Sequence, residues 1–131
     1  MGSPLKGDPS YAYGKLSIAI DTLAVGPGDI RERLHDAFVD FDAITAEDFP
    51  EKLREDYNWI VTHLTRFGPR LGARSEIWRG AIESTMSRVQ RRTGVKIAKR
   101  VLKLRHDLAT HLGRGDAALR QHRSVIPSDR K

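Results

Sequence analysis

The sequence predicts an all-α protein, an antiparallel bundle of four to five helices with a disordered basic C-terminal tail. Three observations carry this expectation. Apolar side chains recur at three- and four-residue intervals through five segments, Gly/Pro-rich breaks separate most of them, and no alternating strand pattern competes. At 131 residues the chain has the length of one domain. The expected organisation is a flexible N-terminal segment over residues 1–9, a helical bundle over 10–112 and a basic tail over 113–131.

The first helix is expected from about Tyr11 to Val25, opened by Pro9-Ser10 and stopped by Gly26-Pro27-Gly28. Tyr13, Leu16, Ile20, Leu23 and Ala24 share one face. Ile18 and Val25 form a second apolar flank, which predicts a central helix contacted from two sides. The second helix runs from Asp29 to about Phe41, with Asp29 and Glu32 spaced as a capping box. Ile30, Leu34, Ala37, Phe38 and Phe41 make its apolar stripe.

A third helix is expected near Asp48, with Pro50 in its first turn and Phe49, Leu53, Tyr57, Ile60, Leu64 and Phe67 on one face. Gly68-Pro69 stops it. The fourth starts near Ser75, buries Trp78, Ala81, Ile82, Thr85, Met86 and Val89, and ends in Arg88, Arg91 and Arg92. A turn or bend is expected at Thr93-Gly94. The fifth helix then runs from about Val95 to Leu112 with Ile97, Val101, Leu104, Leu108 and Leu112 in register. The residues after Gly113-Arg114-Gly115 carry few large apolar side chains and read as the tail.

The net charge of +6 hides a split. Residues 1–65 hold six Lys/Arg against twelve Asp/Glu, and residues 66–131 hold seventeen against five. Such asymmetry suits a polyanion-binding surface or acidic and basic faces that meet each other. On a helical wheel Lys96, Lys99, Arg100 and Lys103 occupy one arc opposite the leucines. With Arg88, Arg91 and Arg92 they predict a basic hairpin that neutralises phosphates of DNA or RNA, or docks an acidic protein. The competing reading is a solvated face, with the three arginines complementing the negative end of the fourth helix. No cofactor is implied, and the spread of Asp, Glu, Ser and His favours a non-enzymatic role.

Residues 91–102 resemble the turn and second helix of a helix-turn-helix, with Gly94 in the turn. The pattern departs at Gln90, where a small residue is usual, and at Val101, one position late. Arg105 projects from the apolar arc of the fifth helix and needs a partner or a route to solvent, with Asp21 and Asp42 as candidate carboxylates. Arg105 and His111 also resemble the Arg-to-His motif of HEPN-domain ribonucleases, which are helical bundles. That resemblance implies Arg105 on the scissile phosphate and His111 in proton transfer.

Trp59 lies off the third stripe with His63 one turn on, and with the acidic second and third helices it makes a candidate protein interface for an adaptor, inhibitor or antitoxin-like module. His106 and His111 lie five apart and point in different directions, so no metal site is expected. The chain has no cysteine. No apolar run is long enough for a bilayer, and the N-terminus lacks a secretory pattern, so a cytoplasmic location is expected. The two-sided first helix makes a homodimer a further expectation.

Overall fold

The computed structural model describes residues 7–68 and 72–113, and every regular element among them is helical. The expected tail, from residue 114 onward, and residues 1–6 lie outside the described residues. Helix α1 spans Pro9–Val25, α2 Ile30–Phe38, α3 Arg54–Leu64, α4 Arg74–Met86 and α5 Arg91–His111. No helix among them is long and apolar enough to cross a membrane.

Local chemistry sets most boundaries. Asp8 accepts from the Ser10 and Tyr11 amides and caps α1, while Pro9 takes the first helical position, where its missing N–H costs nothing. Residues 7–9, expected to be flexible, are thus held. The Gly7 amide also donates to buried Asp48 at 3.2 Å. At α2 the expected capping box forms: Asp29 accepts from Arg31 and Glu32 accepts from the Asp29 amide at 2.9 Å.

Three expected boundaries are corrected. The segment leading into α3 is two separate 3-10 turns, Ala46–Asp48 and Glu51–Leu53, before the helix proper. Phe49 between them is extended because it precedes Pro50, whose ring disfavours the helical region for its neighbour. At the other end α3 stops at Leu64, so Phe67 leaves the core stripe and is 39% exposed. Most consequentially, Thr93-Gly94 is no turn. The connection lies at Ser87–Gln90, and α5 begins at Arg91 and runs through Gly94.

Gly94 is a packing residue. Its buried position lets the start of α2 approach so closely that a Cβ would meet Ile30 at 3.0 Å and Arg31 at 3.3 Å. This removes the helix-turn-helix resemblance at its defining turn. The helices on either side also pack elsewhere: α4 on α2 and α3, and α5 on α1, α2 and α3.

Helix α5 runs antiparallel to α1, since Arg105 near its end meets Tyr13 and Ser17 near the start of α1. It runs alongside α2 in the same sense, start against start at Gly94 and Ile30. Leu16, Leu34, Phe38, Phe41, Phe49, Ile60, Leu64, Ile82, Ile97, Val101, Leu104 and Leu108 are fully enclosed in one core. Each such side chain contributes roughly 1.5–3 kcal/mol on leaving water. Trp78 ties α4 to α2 by donating to the Phe38 carbonyl at 2.8 Å, and Tyr57 donates to the Ile44 carbonyl at 3.2 Å. Burial pushes the Tyr57 hydroxyl well above its ordinary pKa, so it remains a donor. One face stays uncovered, contrary to the expectation of a two-sided α1: Ile18 is 64% exposed and Val25 83%.

Candidate nucleic-acid interface

Helix α5 carries seven Lys/Arg against a single acid, Asp107. Its buried stripe is Ile97, Val101, Leu104 and Leu108, which turns the cations outward or sideways. The seven expected binding residues then separate into four environments.

Arg92, Lys96 and Lys99 are exposed along one side of α5, and none has a carboxylate partner among the described residues. Arg92 only donates to the Gln90 side chain at 2.9 Å. Lys103 continues the same side but bridges Asp107 at 2.8 Å and Asp56 at 3.2 Å, and those hydrogen bonds raise its pKa above the ordinary lysine value. Arg100 is half-buried on the flank toward α3. It bonds Asp56 at 3.1 Å, and its guanidinium lies 4.2 Å from the centre of the Trp59 ring. Arg91 sits 3.9 Å from Asp29, a carboxylate already held by Arg31 at 2.7 Å. The Arg31 hydrogen bonds hold the Asp29 carboxyl down at about 2.

Arg88 lies apart, in the connection after α4, over the exposed Phe67 ring at 5.6 Å. Arg66 flanks the same ring at 5.4 Å. Sequence reasoning missed this cluster because Phe67 fits the helical stripe of α3, and only the early end of that helix releases it. Asp56 was missed too. Its place in the first turn of α3 reads as a routine helix-start acid, and its role as counter-ion depends on α5 crossing beside it.

Arg91 and Arg92 do not complement the end of α4, as one reading of the sequence had it. They form the first turn of α5, which has no acid. Cations there meet the positive end of the helix dipole, a placement that costs local stability and that a bound anion reverses. From Arg92 to Lys99 the helix rises about 10 Å at 1.5 Å per residue. Three cations within that span lie close enough together to meet neighbouring phosphates of a backbone.

Trp59 is a half-buried ring sandwiched between Arg100 and His63, whose ring stacks on it at 3.8 Å, and it packs against the core. His63 Nδ1 lies 2.8 Å from the Trp59 carbonyl oxygen. Neither offers the bare outward aromatic expected of an interface anchor. Arg105 reaches neither Asp21 nor Asp42. It donates from Nε to Ser17 Oγ at 3.3 Å and from Nη2 to the Tyr13 hydroxyl at 3.1 Å, with the Tyr13 ring 5.0 Å away. Being only half-buried, the guanidinium keeps water on one edge, so neutral hydroxyls suffice. His111 is the last residue of α5 and exposed. It stands about 9 Å further along the axis than Arg105 and on a different side, so one chain does not converge the two on a single phosphate.

Beside the first turn of α5, an open groove of about 620 Å³ between the start of α2 and the end of α4 gathers Asp29, Glu32, Asp36 and Glu83 together with Arg31. His35 there bonds Asp36 at 3.0 Å. No group of three or more His, Cys, Asp or Glu among the described residues could hold a metal ion. The acidic groove thus adjoins the N-terminal end of the cationic helix edge, where Arg91 and Arg31 meet Asp29. No family model matches the chain, and no curated protein or solved structure is detectably similar to it.

Proposed function

We propose that the protein is a small non-enzymatic binding module that engages the phosphate backbone of nucleic acid through the N-terminal half of α5. The observation that carries this reading is the row Arg92, Lys96 and Lys99, exposed on one helix edge and without carboxylate partners among the described residues. Arg91, Lys103 and Arg100 flank the row as secondary contacts, each already engaged by a carboxylate, and Arg88 lies apart over the Phe67 ring. Lys and Arg on phosphates release condensed counterions, so the attachment depends on salt and little on base sequence.

The test is the triple variant Arg92→Glu, Lys96→Glu, Lys99→Glu, titrated against duplex DNA, single strands and RNA. Loss of three phosphate contacts, with repulsion in their place, lowers affinity by about a hundredfold at moderate salt. Affinity equal to that of the wild type overturns the reading. Comparing the three ligands identifies the preferred strand form.

A second reading, a protein-interaction module, draws support from a separate observation. Ile18, Val25 and Leu102 are large aliphatic side chains left exposed on α1 and α5. The cytoplasmic location and the homodimer expected from the sequence belong with these proposals.

A further inference from the structure

Helix α1 contains a residue that the described residues around it do not explain. Gly14 lies mid-helix, where glycine is costly to order, and a Cβ there would meet nothing within 4 Å. Its φ is not in the left-handed region, so neither turn geometry nor packing among the described residues calls for glycine. A glycine on an exposed helix face does permit close approach of another helix.

The surroundings of Gly14 point the same way. On the α1 wheel Gly14, Ile18, Asp21 and Val25 share the outward face, and all four are exposed. Beside them on α5, Leu102 is 51% exposed, one turn before Arg105. This face carries two opposite charges. Asp21 has no hydrogen bond or ion pair among the described residues, and Arg105 is held by Ser17 and Tyr13 without a carboxylate.

We propose that this face is a homodimer interface in which α1 packs antiparallel on α1 of a second copy, and Arg105 of each chain pairs with Asp21 of the other. The register follows from the symmetry. A two-fold axis beside Ile18 sets position 21 of one α1 opposite positions 13–17 of the other, the stretch that holds Arg105. Asp21 lies on the Ser17 side of the helix, toward α5, and an axis running across the helices brings both copies of α5 to that same side. Each carboxylate therefore meets the other chain's guanidinium, and two identical pairs form. Ile18 stacks on its own symmetry mate at the centre, and Gly14 brings the backbones together.

The same arrangement places two α5 helices side by side, but the interface itself does not depend on phosphate binding. Its test contains no nucleic acid, so each proposal can fail alone.

Sedimentation velocity of the full chain reads the outcome. The wild type sediments as a dimer, and Ile18→Glu, at an exposed site that cannot disturb the core, sediments as a monomer. Arg105→Asp and Asp21→Arg each weaken dimerisation by about tenfold or more. Mixing these last two variants restores a dimer, because one chain then offers acids at both positions and the other arginines at both. Only pairing between chains can be rescued by mixing. If Arg105→Asp fails to fold, the exposed Asp21→Arg is mixed instead with Arg105→Glu, which offers the same two pairs. A monomeric wild type, a dimer unaffected by Ile18→Glu, or a mixture that stays monomeric overturns the proposal.

Discussion

The two halves of the α5 cationic edge differ in what faces them. Toward the C-terminus, Arg100 and Lys103 share Asp56, and Lys103 also takes Asp107. Toward the N-terminus, Arg92, Lys96 and Lys99 are exposed, with no carboxylate partner among the described residues. In sequence these residues form one uniform basic run. In space half of it stabilises the contact between α3 and α5, and half is available to a partner. A charge count therefore overstates the surface a polyanion can use, and the correction is set by Asp56 on a neighbouring helix and Asp107 on α5 itself.

This contrast can be broken first through the scaffold. Gly94 seats the N-terminal half of α5 against α2, with Ile30 and Arg31 within 3.3 Å of where a Cβ would stand. Gly94→Leu overpacks that contact and lowers unfolding stability by about 1–3 kcal/mol in chemical denaturation. A value near zero would mean that the two helices do not meet there.

A smaller effect sharpens the contrast. Asp56→Asn removes the shared counter-ion of Arg100 and Lys103, leaving Arg100 without a carboxylate while Lys103 keeps Asp107. Nucleic-acid affinity then rises a few-fold and its salt dependence steepens, while the triple Glu variant loses both. An unchanged salt slope in Asp56→Asn would show that the C-terminal half stays out of reach of the ligand.

The smallest effect concerns acid stability beside the N-terminal half. The Asp29 carboxyl is held at about 2, against an ordinary 3.8, chiefly by the Arg31 side chain and amide. A lowered folded-state pKa adds stability that is complete above the unfolded value of 3.8 and disappears as pH falls through about 2. Asp29→Asn accordingly melts below the wild type at neutral pH, and the gap closes over that acid interval. A gap that persists at the lowest pH would assign the carboxylate no part in it.

Much of the fold was legible because helical periodicity reports directly on burial. The Leu34, Phe38 and Phe41 stripe, the Tyr57, Ile60 and Leu64 stripe and Leu104 and Leu108 of α5 all point into the core as their spacing predicts. The Asp29–Glu32 cap could be read because both partners lie within one turn. What escaped were contacts set by distant elements. Gly94 has the local signature of a turn, yet α2 pressing on it makes it a helix–helix contact. Asp56, Phe67 and the hydroxyls around Arg105 gain their roles only from segments tens of residues away. The candidate cations could all be named from the sequence, but their division into engaged and available groups depended on that tertiary placement.

The central claim is that three phosphates meet Arg92, Lys96 and Lys99, and the salt dependence of duplex binding tests it most directly. The logarithm of the association constant should fall against the logarithm of salt concentration with a slope of about −3, and the triple Glu variant should lose most of it. A slope near zero, or no binding at low salt, would contradict the account.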